Sequence, residues 1–493
     1  MMQSRPAAIN KSGWTLDLLL LVLLAALAGW LYPMSKTLAG LQDGDGILTS
    51  LISTQKLTWY FWGQDRLLNL LPALAYPVTD VEANAHLQIS LRAFMSVLAP
   101  AGLLALLQKD SRSLFLPTAV AGLLLALSLS SQYALFNLYV QHNPFSSSLV
   151  LFGIGAIALR GGWGIGRVLL AVATGFLAYA TNFALMTLMV PVLAFLLLFN
   201  RESRAYLTRV FAVQLICIVL AYLHAKLFGE AATSFGIHPS WQAVQAAWGI
   251  VSTHVHHGWL LAMGLAASAA AVRLRTREAL LVWLLALAMP FAITALSALT
   301  WVQMNQFNIR YFLVFILAYC SFCTYLLHAC FAGAIKRPLQ WLLALGCLAY
   351  VFTVTLGGIA PNPREIVGTT WRAPARATAS VAIQQHANLV VGEFWDTWPV
   401  VFFANAKSQD GPPSSSQVYG VTYRGHVLRT QLLERGRHGE RLQALCLQDT
   451  LDQCAKLTWD HLIQDAHFHI VSQSVRSIPI GKKMGLLYEI APD

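Results

Sequence analysis

The residues best suited to chemistry lie close together between positions 41 and 66. Leu41-Gln-Asp-Gly-Asp-Gly46 sets two carboxylates, Asp43 and Asp45, one residue apart, each followed by glycine. Paired carboxylates can serve general-base chemistry, because one can be held ionised while its neighbour's pKa is raised. The same letters also read as a solvated turn, since Asp-Gly pairs commonly punctuate turns. Asp43-x-Asp45 further matches a fragment of a calcium loop whose other ligand positions are absent. Downstream, Trp59-Tyr-Phe-Trp-Gly-Gln-Asp-Arg66 joins aromatic faces, Trp62 among them, to the polar groups of Gln64, Asp65 and Arg66. Such faces stack on sugar rings, and such polar groups bind hydroxyls. The plainer reading is an interfacial anchor, with Asp65 and Arg66 a surface pair of little energetic worth.

Two later groups belong with these. Arg310-Tyr311 stands at the start of an apolar segment, where a guanidinium can bind a lipid phosphate through paired hydrogen bonds or simply snorkel to headgroups. His254, His256 and His257 have a spacing compatible with metal binding. No carboxylate or cysteine lies near them in sequence, so zinc is not indicated, and they are equally suited to phosphate or substrate hydroxyls.

The elements that must carry these groups are membrane helices. Of 493 residues 57% are hydrophobic and only 11% charged, against about 25% charged in ordinary soluble domains. Apolar runs long enough to cross a bilayer recur through the first three quarters of the chain. We read about eleven spans, near 14–33, 87–107, 114–131, 146–159, 167–181, 183–199, 209–227, 257–272, 279–299, 311–332 and 339–358. Those at 146–159 and 167–181 are short, which predicts tilted or broken helices. Arg5 and Lys11, Lys109 and Arg112, Arg160 and Arg167, Arg201 to Arg209, Arg273 to Arg277, and Lys336 with Arg337 all fall on one side. That side is therefore cytoplasmic, with the N-terminus, while the tail faces outward. The net charge of +11 is accounted for by these clusters, and no basic helix suited to nucleic acid is present.

Three outward connections stand out. The first, 33–86, is far longer than a hairpin needs, and its aromatic run 57–62 suits a helix lying in the interface. The second, 227–257, holds the histidines, and the third, 300–310, ends at Arg310. The division expected is a transmembrane domain, 1–358, and a soluble α/β domain, 359–493. In the latter, strands are predicted near 387–392, 400–403, 417–423, 467–471 and 484–490, with a helix over 429–453. Five of the seven cysteines sit in apolar segments as packing residues. Cys446 and Cys454 pair as a disulfide if the tail is extracytoplasmic and remain thiols otherwise.

Taken together, these features resemble the polytopic C-type (GT-C) glycosyltransferases, which use a polyprenyl-phosphate-linked sugar as donor. The likeness spans roughly residues 14–358. It rests on Asp43-Gly-Asp45 in a long first outward loop and on Trp62-Gly-Gln-Asp65-Arg66. It also includes the short helix pair around Thr174-Gly-Phe-Leu-Ala-Tyr-Ala-Thr181 ending at Pro191, and the late Arg310-Tyr311. A C-terminal extracytoplasmic α/β domain is likewise seen in that superfamily. Its first-loop acids are often an adjacent Asp-Glu pair, whereas glycine separates two aspartates here, so either Asp43 or Asp45 can be the catalytic base. The resemblance implies an inverting transfer to a lipid or glycan acceptor at the periplasmic face of a bacterial inner membrane. Trp62, Gln64, Asp65, Arg66, His256, His257, Arg310 and Tyr311 are the substrate-binding residues to test, with Trp395, Trp398 and the Arg424 region on the acceptor side. No nucleotide-binding loop is present, which fits a donor without a nucleotide; no cofactor is implied, and a divalent metal is not indicated. The competing readings are an O-antigen-type polymerase or ligase, a lipid or sugar transporter, and a non-catalytic scaffold.

Overall fold

The computed structural model describes residues 11–107, 114–141, 144–230, 236–331, 334–360, 373–408, 417–422, 441–458, 468–481 and 483–492. Each of the eleven apolar segments is helical. They are α1 (Lys11–Leu31), α4 (Val81–Leu107), α5 (Phe115–Ser128), α7 (Pro144–Leu159), α8 (Ile165–Thr181), α9 (Met186–Phe199), α10 (Arg204–Phe228), α12 (His257–Leu274), α13 (Arg277–Leu296), α15 (Leu313–Phe331) and α16 (Arg337–Leu356). Among the described residues seven helices are long and apolar enough to cross a membrane, or up to nine if each of two bent pairs is one span. The bent pairs fall where the short segments predicted breaks. Gln132–Tyr139 (α6) turns by 46° into α7, and α8 turns by 107° through a short 3-10 helix, Phe183–Leu185, into α9.

Burial separates central from peripheral helices. The apolar windows of α4 and α15 are each 67% buried, whereas that of α12 is 17% buried and that of α10 28%. The latter two turn Leu, Ile and Val side chains outward, the arrangement expected against lipid tails. The centre is held by close backbone contact: a β-carbon at Gly153 would lie 2.5 Å from the Gly102 Cα, so α4 and α7 meet through two glycines. Small residues permit such approach between membrane helices.

The three connections expected to face outward are structured. The first contains α2 (Gly44–Thr54) and α3 (Leu70–Ala75), the second α11 (Trp241–His254), and the third α14 (Thr300–Met304). The run 57–62 differs from the interfacial helix expected of it. It is irregular, closed by a Tyr60–Leu68 bridge and by Asn69 N–H donating to the Trp59 carbonyl at 2.8 Å. Tyr60, Phe61 and Trp62 are buried in protein, while Leu57 and Trp59 are exposed.

In the tail a five-stranded sheet has the order β2-β1-β3-β5-β4, from β1 (Leu389–Val391), β2 (Tyr419–Val421), β3 (Leu442–Cys446), β4 (Phe468–Ile480) and β5 (Lys483–Pro492). β1 runs parallel to β2 and β3, while β5 is antiparallel to β3 and β4. Two expectations are corrected. Residues 400–403 lie in a helix, Phe394–Ser408, because Phe394, Trp398, Val401 and Phe402 are buried at helical spacing. Residues 442–446 are an inner strand rather than part of a helix over 429–453; four of its five side chains are buried, as a strand covered on both faces requires. The first part of that expected helix, 429–440, lies outside the described residues. Nor is the core of this sheet self-contained. Ile47, Leu48, Leu51 and Ile52 of α2 join Phe61, Trp62, Val390, Phe394 and Trp398 in one cluster.

Candidate active site

The acidic turn is a helix start. Asp43 is extended (φ −132°, ψ −178°) and caps α2, its Oδ1 accepting from Gly46 N–H at 3.1 Å. Asp45 lies in the first turn of α2, where a carboxylate is favoured by the helix dipole. The turn expected there is the N-terminus of α2. Gln141, just beyond α6, donates its Nε2 to Asp43 Oδ2. Burial, and then the neighbouring Asp45 charge, push the Asp43 carboxyl up to about 6, against the opposing effects of Gln141, the Gly46 amide and Arg310.

Arg310 reaches Asp45 from the start of α15. It sits in a 3-10 turn, Ile309–Tyr311, capped by Asn308 Oδ1, while Asn308 Nδ2 donates to the Tyr133 hydroxyl of α6 at 2.8 Å. Its Nη1 lies 2.9 Å from Asp45 Oδ2, and its Nη2 donates to the Tyr311 hydroxyl at 3.2 Å. Burial works against the Arg310 charge, but Asp45 and Tyr311 more than offset it, so its pKa is raised.

One cavity opens at this pair, with about 1080 Å³ of empty space, its mouth included. Its polar lining includes Asp45, Gln64, Arg66, Arg310 and Tyr311, and its apolar lining includes Phe145, Phe183, Leu296, Leu299 and Phe315. The Arg66 guanidinium lies 3.8 Å from the centre of the Trp301 ring, and its Nε donates to Gln64 Oε1 at 3.3 Å. Backbone strain flanks both cations. Leu67 follows Arg66 at φ 65°, and Gln306 and Phe307 precede Arg310 at φ 53° and 54°. Left-handed conformations in such residues cost about 1–3 kcal/mol each and gather where a site fixes the chain.

Other residues singled out in the sequence are placed elsewhere. Trp62 is fully buried against Trp398, ring centres 5.6 Å apart, and its indole N–H donates to the Lys56 carbonyl. It packs the core and offers no face to a sugar. Asp65 points to Lys226 at 3.7 Å and does not line the cavity. His256 and His257 border a separate shallow hollow with Val255, Gly258 and Trp259, and His257 Nε2 is 3.0 Å from Ser252 Oγ. Among the described residues no three His, Cys, Asp or Glu side chains are grouped to hold a metal. Cys446 and Cys454 are joined as a disulfide with Cα atoms 5.9 Å apart. Trp395 lies against the acidic turn, since a β-carbon on Gly44 would meet its ring at 3.2 Å. Trp398 is core, and Arg424 lies outside the described residues. The sequence reading missed Gln141, Asn182 and Trp301; Asn182, at the break between α8 and α9, lines the cavity and was signalled only by a polar residue between two apolar runs.

Fold and site together define a polytopic helical membrane protein with an acid–arginine pair lining a largely apolar cavity. Among solved structures the chain is similar to ArnT from Cupriavidus metallidurans bound to undecaprenyl phosphate, at 11% identity and a TM-score of 0.47, covering 96% of this chain and 98% of that one. It is similar to the apo state of the same protein at 13% identity, with the same TM-score and coverage. No described protein family matches the sequence, and no curated protein does.

Proposed function

We propose that this protein is a membrane glycosyltransferase that moves a sugar from a polyprenyl-phosphate carrier to a lipid or glycan acceptor. The observation that carries the reading is the mixed lining of one cavity: its aromatic and leucine side chains suit an isoprenoid chain, and Arg66 and Arg310 suit its phosphate. The acceptor hydroxyl gives its proton to Asp43 and attacks the anomeric carbon from the face opposite the phosphate. The bond from that carbon to the phosphate oxygen breaks, its electron pair leaves with polyprenyl phosphate, and the configuration inverts. Asp43 does not itself line the cavity but sits two residues from Asp45, which does; it is assigned as base because its raised pKa, about 6, places it near the working range, while Asp45 is committed to Arg310. The two fixed guanidiniums stabilise the charge that develops on the leaving phosphate.

The one-sided distribution of the basic clusters supports a reading in which the acidic turn and the tail face outward from a bacterial inner membrane. The Cys446–Cys454 disulfide supports that side, since disulfides persist in the periplasm and are rare in the cytoplasm. The test is transfer of radiolabelled sugar from purified polyprenyl-phosphate sugars to a membrane lipid extract, using the full chain in nanodiscs. Wild type moves label into an acceptor; Asp43→Asn does not, and Asp45→Asn is reduced. Absence of transfer from every donor by folded wild-type protein overturns the assignment, and full activity of Asp43→Asn removes that residue as base.

A further inference from the structure

The interior of a membrane helix is a costly place for a charge, yet α4 holds Arg92 at 3% exposure. Its guanidinium meets neutral acceptors. Nη2 donates to Thr49 Oγ1 at 2.6 Å, to the Gly46 carbonyl at 3.3 Å and to Gln88 Oε1 at 3.5 Å; Nη1 donates to the Val140 carbonyl at 3.2 Å. Nε has no acceptor, and no described carboxylate lies within ion-pair distance. A buried cation costs several kcal/mol even after relaxation, so an arginine satisfied by neutral groups asks for a reason beyond packing.

The two carbonyls it holds supply one. Gly46 donates its N–H to Asp43 Oδ1 and gives its carbonyl to Arg92. Val140 gives its carbonyl to Arg92, and the next residue, Gln141, donates to Asp43 Oδ2. Both partners of the Asp43 carboxylate are thereby tied to a single guanidinium. We propose that Arg92 is a positioning residue for Asp43, clamping the two segments that orient this carboxylate and supplying, from inside α4, the positive charge that favours its ionised form.

This rests on Asp43 as the base of the reaction proposed above. The other charges facing Asp43 are Asp45 in its own turn, which opposes ionisation, and Arg310 ahead of α15, which favours it and is engaged with Asp45. The segment after α6 presents neutral Gln141, and the tail presents Trp395, whose neighbours Glu393 and Asp396 are exposed to solvent.

The test reads Asp43 directly. Infrared difference spectra of the full chain in nanodiscs, titrated with pH, follow the carboxyl band that disappears in Asp43→Asn. In wild type the band titrates near 6. Arg92→Met moves the midpoint up by about one unit, the size expected for losing a nearby opposite charge, and Arg92→Lys restores it. If Arg92→Met does not fold, Arg92→Gln keeps amide donors without the charge and gives the same upward shift. An unchanged midpoint in a folded neutral variant overturns the proposal. Sugar transfer is read separately on wild type: if wild type transfers nothing while Arg92→Met shifts the Asp43 midpoint, the clamp is retained and the glycosyltransferase reading is removed.

Discussion

Asp43→Asn should make the protein more stable while stopping the reaction. Burial and Asp45 raise the Asp43 pKa from 3.8 to about 6, so the folded state holds this proton more tightly than the unfolded state does. Below the unfolded value both states are protonated and the preference for the folded protein is intact. As pH climbs through the folded value, the native carboxyl must ionise in a site that disfavours it, and that stabilisation is lost. A difference of about two units, at about 1.4 kcal/mol each, amounts to about 3 kcal/mol lost between pH 4 and 6 and absent at pH 7.5. Asparagine does not titrate, and it caps helices as well as aspartate does, so the bond to Gly46 survives the change. Melting in detergent followed across pH 4 to 7.5 should show wild type losing stability relative to Asp43→Asn, with the variant ahead at pH 7.5. Parallel curves, or a variant less stable at pH 7.5, would refute the account of Asp43 as a carboxylate held at a cost.

Asp45 and Arg310 act as one unit, so Asp45→Asn, Arg310→Gln and the double variant should be non-additive by about 1–3 kcal/mol in transfer rate, with the double variant little worse than Arg310→Gln; additive losses would dissolve the pair. Gly153→Val, at the closest approach of α4 and α7, should destabilise by about 1–3 kcal/mol or more, read as a lowered melting temperature with a parallel loss of transfer.

The membrane architecture was legible because its signal is compositional: long apolar runs separated by clustered Lys and Arg survive any error in helix boundaries. The bends were legible too, from segments too short to cross. At the site, Asp45, Gln64, Arg66, Arg310 and Tyr311 were legible by residue type and position, and the structure gathers them round one cavity. Trp62 misled because aromatic composition is the same in a sugar platform and in a core, and only the packing against Trp398 separates them. The run 400–403 misled through its β-branched and aromatic residues, whose strand preference gave way to helical burial shared with Phe394 and Trp398. Gln141 could not be read at all, since its role depends on the end of α6 arriving beside α2.

The acidic turn also explains why the tail packs where it does. α2 has eleven residues, and an isolated helix of that length is marginal in water. Its N-cap, Asp43, is moreover a buried carboxyl held at a cost. What fixes it is tertiary contact on two sides. Arg92 and Gln88 of α4 bond to Gly46 and Thr49 from within the bundle, while the apolar face of Ile47, Leu48, Leu51 and Ile52 joins the core of the tail sheet. Gln55 Nε2 extends the join by donating to the Val418 carbonyl at 2.9 Å, ahead of β2. A change that loosens the tail helix Phe394–Ser408 therefore acts on the acidic turn through α2, and reaches the cavity as well through Asp45 and Phe61, which line it.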